Sequence, residues 1–315
     1  NIQKLLAFEG RNLVNSFYFP KNEEILGHVA MIFFSIFVSV SYVLGSLVAN
    51  DIEPGVITAA RFFIGASVMG AFVFAVRKRK LEDFKSLWRF FVISISIVIY
   101  FVLMFEALKT STSLSLSVVF TLTPLVALVF EFFLKKPINL RTLIGITLGA
   151  LGALWVIFDG KLENLFLFKV GYGELIFFWG CVGHAIYAIL IPALNRGEDA
   201  ASQTFGTLSA GFILLALFFW QDIIETNWNQ LSLLIWGTII YLATVATAFT
   251  FFLIQFAAKR LNASNVMAYT YAVPFWVAIG DMFVGKGLPE THLIFGGLII
   301  AFALFLLISD NRAKY

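Results

Sequence analysis

Ten stretches of this chain stay apolar for about 20 residues each, and that repetition leaves it few folds. A helix rises about 1.5 Å per residue, so each stretch can cross a hydrocarbon core about 30 Å thick with its backbone polar groups bonded internally. The stretches run from 25 to 48, 54 to 76, 87 to 107, 112 to 134, 140 to 157, 172 to 193, 203 to 220, 231 to 256, 263 to 284 and 291 to 309. They are continuous rather than alternating, which argues against barrel strands of about ten residues. Of 315 residues, 60% are hydrophobic and 13% charged, about half the charged share of a soluble protein. The expected class is an all-α membrane protein of ten transmembrane helices, with the lipid bilayer as its first partner.

Charge sets the orientation. With the N-terminus in the cytoplasm, 17 of the 22 Lys and Arg residues fall on that side, Lys109, Lys161, Lys169 and Lys286 on the other, and Arg61 within a span. This bias predicts a multi-pass protein of the cytoplasmic (inner) membrane with both termini cytoplasmic. The net charge of +3 therefore reports topology. "RKRK" at 77–80 lies in a short loop between spans, and no nucleic-acid partner is expected. Residues 1–24 place Leu5, Leu6, Phe8, Leu13, Val14 and Phe17 among polar neighbours, as in an interfacial helix or a tail, without the pattern of a signal peptide. The single Cys181 excludes an intramolecular disulfide and a thiolate metal cluster.

Polar residues recur in register. "ALKTSTSLSLSVVFTLTP" (107–124) is echoed by "AKRLNASNVMAYTYAVP" (258–274), with Ala107, Lys109, Pro124 and Glu131 matching Ala257, Lys259, Pro274 and Asp281 at an offset of 150. "FFSIFVSVSY" (33–42) lies on "FWGCVGHAIY" (178–187), pairing Tyr42 with Tyr187. The repeats are 25–158 and 171–309. Each holds five spans, an odd number, so the second enters the membrane in the opposite sense. Two such bundles can expose a central site to each side in turn.

"ARFFIGA" (60–66), "EALKTSTSLSLSVVFTLTPLVALVFEFFL" (106–134), "IGITLGALGA" (144–153) and their echo from 257 to 304 resemble the drug/metabolite transporter superfamily, in its ten-span EamA-type branch. The resemblance covers nearly all of 25–309. It implies a secondary transporter with a small-molecule substrate and no cofactor, exporting amino acids or related metabolites by alternating access. Transporters of nucleoside-derived cofactors or amphipathic drugs would share the fold. It also implies that the first, third and fourth spans of each half surround a chamber, with the fifth and tenth outside, so the polar stretch after Lys109 is expected to face the pathway. The chain departs from the family where a glutamate is usual after the proline helix: Lys136 and Lys286 stand there.

Ser111, Thr112 and Ser113 read as helix caps. Ser115, Ser117, Thr121 and Thr123 need back-bonds to the preceding turn or a neighbouring helix, and either packing or substrate contact accounts for them, Thr121 being placed among the pathway residues. Pro124 and Pro274 each remove a helix hydrogen bond, so a kink is expected at both. Arg61 near mid-span costs about 2.5 to 3.5 kcal/mol and needs a partner. Glu106 at similar depth is the expected one, giving either a permanent ion pair or a clamp for a substrate carboxylate. His184 can relay protons or bond across helices. Tyr42, Trp179, Tyr187, Tyr241, Tyr269, Tyr271 and Trp276 are expected to line the cavity. Glu106, Glu131, Asp281 and His184 are the groups for any proton coupling. "GITLGALG" (145–152) suits close helix packing within the protomer.

Readings from other classes fare worse. "GDMFVGKG" (280–287) lacks the Ser or Thr of a phosphate loop and the strand before it. An intramembrane enzyme or a scaffold remains the alternative from another class. Against the enzyme, His28, His184 and His292 form no spacing for a metal pair or a nucleophile dyad. "NAS" (262–264) falls on the cytoplasmic side and is a chance glycosylation match.

Overall fold

The computed structural model describes residues 21–80, 84, 86–135, 138, 140–158, 160–166, 170–261, 263–288 and 291–310. The amphipathic stretch before residue 21, Lys136 and Asn262 lie outside the described residues. The helices are α1 (Lys21–Val48), α2 (Pro54–Ala71), α3 (Trp88–Leu108), α4a (Ser113–Phe120), α4b (Thr123–Phe133), α5 (Leu140–Ile157), α6 (Tyr172–Leu194), α7 (Ala200–Phe218), α8a (Leu233–Ala243), α8b (Thr250–Ala258), α9a (Ala263–Ala268), α9b (Val273–Phe283) and α10 (Thr291–Asp310). Among the described residues there is no strand. Nine helical segments there are long and apolar enough to cross a membrane, and Thr291–Leu307 is a shorter apolar helix.

Local chemistry sets the joints. Pro54 sits in the first turn of α2, where its missing N–H costs nothing. Thr112 caps α4a by accepting from the Ser115 amide at 3.1 Å, and Asp199 caps α7 from Ser202. The span that begins at Ser113 breaks at Thr121–Leu122 and resumes with Pro124 in the first turn of α4b. Its repeat mate passes through a 3-10 turn at Tyr269–Ala272 before Pro274 opens α9b. The eighth span is interrupted by a π-helical turn, Thr244–Phe249.

Packing follows the repeat. α3 lies on α6, α2 on α7, and α1 on α8b, so first-half helices alternate with second-half ones. α5 and α10 pair with each other, and their buried faces join a separate apolar cluster with Val118, Leu122 and Tyr271. Glycine makes that pairing close: a Cβ on Gly152 would stand 3.1 Å from the Gly296 carbonyl oxygen. The glycines of "GITLGALG" thus serve contacts within this chain.

The connections alternate between two faces. One carries Arg77–Lys80, Arg196, Lys259 and Arg260 and is called the basic face; the other is the far face. On the basic face, Arg89 at the start of α3 donates to Glu198 (Nη2 to Oε1, 2.5 Å) and to the Leu194 carbonyl, while Lys259 reaches the Glu198 carbonyl. Arg79–Asp199 at 3.1 Å, Arg260–Glu23 at 2.7 Å and Arg196–Ser86 at 2.7 Å also join first half to second. On the far face, Lys286 pairs with Asp281 of its own half (2.9 Å) and crosses to Ser113 (2.8 Å) and Ser46 (2.9 Å) of the first. Both ends of the central axis are tied.

Candidate functional site

A small cavity lies where four helices meet. It is lined from α1 by Phe34, Val38 and Ser41, from α3 by Tyr100, Phe101 and Met104, from α6 by His184 and Tyr187, and from the eighth span by Ala246, Thr250, Phe251 and Ile254. Its free space of about 10 Å³ is room for one water. The four helices are the first and third of each half; the fourth span of each half, also expected around the chamber, does not line this cavity. α5 and α10 contribute nothing to it.

The sequence of α6 explains how His184 gets there. Gly180 and Gly183 leave space for the α3 backbone: a Cβ on Gly183 would stand 2.6 Å from the Ser96 carbonyl oxygen. This close approach sets the His184 ring 4.6 Å from Tyr100 and edge-on to Phe120 at 5.0 Å. His184 is 4% exposed, and among the described residues its Nδ1 has no hydrogen-bond partner. Tyr42 and Tyr100 share a 2.9 Å hydroxyl bond. In the second half, Gln255 Nε2 donates to the Tyr187 hydroxyl at 3.3 Å, leaving Gln255 Oε1 unpaired.

Arg61 lies behind the Phe101 wall. It is fully buried, and its guanidinium covers the Phe101 ring at 3.8 Å. Nε donates to Thr247 Oγ1 at 2.8 Å and Nη2 to the Ala246 carbonyl at 3.2 Å. Both acceptors belong to the π turn, whose wider winding presents backbone oxygen sideways. Among the described residues Nη1 has no acceptor. The expected Arg61–Glu106 pair is not formed: Glu106 bonds Lys109 at 3.0 Å and is half-exposed at the far face. Depth along the axis matched, but direction around the helix did not. Arg61 meets the side of α3 that carries Phe101 and Phe105, and Glu106 is turned about 100° from Phe105.

Other expected positions also need correcting. Trp179 is 61% exposed, because it sits about 140° around α6 from His184. Tyr271 donates to the Ile146 carbonyl at 3.1 Å, and its ring fills the space above Gly149, away from the cavity. Tyr269 bonds His28 at 2.8 Å, Tyr241 donates to the Phe37 carbonyl at 3.1 Å, and Trp276 is half-buried beside Phe275. None of the three lines the cavity. The polar stretch after Lys109 does not line it either. Ser117, Thr121 and Thr123 bond back to Leu114, Val118 and Phe120 carbonyls. Ser113 bonds Asp281 rather than capping its helix, and Ser115 bonds Glu174 on α6 at 2.7 Å. Glu131 and Asp281, both nearly buried, occupy related positions near opposite faces.

Tyr100, Phe101, Thr247, Thr250, Phe251 and Gln255 were not singled out from the sequence. The offset of 150 would have paired Tyr100–Phe101 with Thr250–Phe251, which together form two sides of the cavity. A larger opening of about 600 Å³ at the far face is lined by Thr110–Thr112, Ser115, Glu174, Asp281, Lys286 and His292, among others. Its Ser115–Glu174 and Asp281–Lys286 groups satisfy each other, whereas the small cavity is lined by His184, with Arg61 behind its Phe101 wall and Gln255 behind Tyr187, each with an atom unpaired among the described residues. Position between the first and third spans of both halves, rather than volume, marks the candidate site. Among the described residues no three His, Cys, Asp or Glu side chains come together to hold a metal ion.

Comparison with known proteins now bears on this arrangement. The transporter YyaM of Bacillus subtilis, named an uncharacterized transporter, is 25% identical over 281 residues, 87% of this chain and 90% of its own. An uncharacterized transporter of Archaeoglobus fulgidus is 21% identical over 269 residues, 84% of this chain and 91% of its own. A crystal structure with 20% sequence identity shares the fold at a TM-score of 0.69, over 92% of this chain and 99% of that one. The model of the EamA-like transporter family matches twice, over residues 25–158 and 171–309, and the chain belongs to that family.

Proposed function

We propose that this transporter carries small metabolites with a carboxylate group, amino acids and their relatives among them, outward across the cytoplasmic membrane by alternating access. The observation that supports this reading best is Arg61. It is fully buried and touches a hydroxyl, a carbonyl and a ring, and among the described residues it has no carboxylate partner and its Nη1 is unpaired. An uncompensated guanidinium inside a membrane protein is costly, and a carboxylate offers the two parallel acceptors that its fork fits.

The mechanism follows from what Arg61 now holds. Arg61 belongs to the first half and its acceptors to the second, so it straps α2 to the π turn of the eighth span. A substrate carboxylate takes Nη1 first and then competes with the Ala246 carbonyl, loosening that strap and letting the two bundles move. The basic face is the cytoplasmic one, and its Arg89–Glu198 contacts must part for loading. The buried Glu131 and Asp281 are the groups available for proton coupling. A transport rate indifferent to an imposed pH gradient would leave a facilitator.

The test is uptake into liposomes from a mixed metabolite pool, read by mass spectrometry against protein-free liposomes and the Arg61→Gln variant. The reading predicts selective entry of carboxylate-bearing solutes that the variant loses while remaining monodisperse in detergent. Entry that is unselective, or unchanged in the variant, contradicts it.

A further inference from the structure

We propose that the corner between α2 and α3 on the basic face binds the headgroup of an anionic phospholipid through Arg77 and Lys78, and that the bound lipid steadies the loop that ties the two halves there.

The cations of this corner fall into two sets. Arg79 is engaged with Asp199, Arg89 with Glu198, and Arg196 with the Ser86 hydroxyl. Arg77 and Lys78 are exposed, and among the described residues neither has an acidic partner. Orientation in the membrane requires positive charge on this side, but it does not require two neighbouring cations fixed in one place. Here they are fixed. A π-helical turn, Phe72–Val76, ends the second span, and turns of this kind gather at functional sites. The Arg77 amide donates to the Phe72 carbonyl at 3.1 Å and the Arg79 amide to the Val73 carbonyl at 3.2 Å, so the chain is locked on both sides of Lys78. Lys78 itself stands at φ 52°, in the left-handed position after a helix where glycine is usual.

Apolar surface lies beside these cations. Phe72, Val76, Leu87 and Trp88 are between 37% and 64% exposed, at the membrane ends of the second and third spans. An indole at that level is an interfacial anchor. The Arg77 guanidinium stands 5.6 Å from the Phe72 ring centroid, which joins the charged surface to the apolar one. The connecting loop is pinned as well: the Phe84 ring packs against Phe74, Phe90 and Phe205 of α7.

The chemistry of the partner follows. Two cations without a counter-charge, next to exposed rings at the end of the spans, fit a group that is anionic and carries acyl chains. The charge bias places this face in the cytoplasm, where anionic lipids gather at basic runs that directly follow a span. A free phosphate would engage the cations and leave Val76 and Trp88 uncovered. The same loop reaches the second half through Arg79–Asp199 and Ser86–Arg196, so a headgroup on Arg77 and Lys78 holds the basic face in its tied arrangement.

The experiment offers the full-length protein in detergent equal amounts of phosphatidylglycerol and phosphatidylcholine with matched chains. Retained lipid is read by native mass spectrometry, and Tm is measured with each lipid. The variants are Arg77→Gln/Lys78→Gln, Lys78→Gly and, as control, Lys135→Gly. Lys135 is an exposed lysine at φ 56°, just past the end of α4b on the same face. The wild type should retain phosphatidylglycerol over phosphatidylcholine by about tenfold or more, and the double variant should bring that ratio near one. Lys78→Gly relaxes the backbone and removes one charge, so it should lose about fivefold of the preference without unfolding, while Lys135→Gly should keep it. Phosphatidylglycerol should raise the Tm of the wild type and of Lys135→Gly, but not of the double variant. Equal retention of the two lipids by the wild type, or an equal loss in Lys135→Gly, overturns the site in favour of diffuse surface charge. Displacement of the lipid by glycerol 3-phosphate at the same concentration overturns the assignment to a lipid, and retention without a rise in Tm overturns the steadying role.

Discussion

Arg61 illustrates how a single buried charge can be held without a counter-ion. Its ring contact to Phe101 is worth about 2 kcal/mol when desolvated, and its two hydrogen bonds satisfy part of the fork. Thr247→Val removes the Nε acceptor at nearly constant volume. It should lower stability by about 1 to 3 kcal/mol, read as a fall in Tm, and an added carboxylate substrate should recover part of the loss. A Tm unaffected by the substitution would mean that the strap carries no energy. The sequence made Arg61 visible because a mid-span arginine is rare. Its partner was not visible, because depth along a helix is legible from residue count whereas direction depends on how neighbouring helices are rotated. The same gap misplaced Trp179, and it hid Phe101 among 37 phenylalanines.

Helix contacts through glycine fix the site more firmly than the tyrosines do. Gly183 faces the Ser96 carbonyl and Gly180 the Tyr100 carbonyl, so α6 cannot retreat from α3 without carrying His184 off Tyr100. Gly183→Val should cost about 1 to 3 kcal/mol and abolish transport even though residue 183 touches no substrate. Wild-type transport by that variant would show that the α3–α6 distance is not set there. The spans were legible from apolar length, and the repeat from proline, lysine and acid in register. Helix breaks at Thr121–Leu122 and Tyr269–Ala272 follow from Pro124 and Pro274. The π turn at Thr244–Phe249 was not legible: it contains neither proline nor glycine, and its winding comes from tertiary contacts with α2, where Gly65 abuts the Ala243 carbonyl.

Taken whole, the molecule is tied across its halves at both ends, and the two ties differ in kind. The basic face is fastened by ion pairs between the halves, Arg89–Glu198 being the most buried, while the far face is held by the Asp281–Lys286–serine cluster and the Ser115–Glu174 hydrogen bond. Burial raises the pKa of the Glu198 carboxyl, but hydrogen bonds from Arg89 and the Arg196 amide outweigh it and hold the group below its ordinary value. A lowered carboxylate pKa gives stability that is present above the unfolded value and lost as pH falls through the folded one. The latch should therefore be intact from about pH 6 to about pH 8 and loosen in acid below the ordinary carboxylate range, read as basic-face labelling against pH. Glu198→Gln should mimic the acid state at neutral pH, since removing one member of a buried pair costs about 2 to 5 kcal/mol.

The most direct measurement of alternation uses one cysteine at a time, Ser86→Cys beside the basic latch or Ser46→Cys beside the far cluster, with Cys181 replaced by alanine. Labelling by a membrane-impermeant thiol reagent is compared with and without a carboxylate substrate that the liposome assay has identified. Two inverted bundles rocking about a central site predict reciprocal changes, one position gaining reactivity as the other loses it. Simultaneous opening at both positions, or no change at either while substrate is transported, would contradict the account.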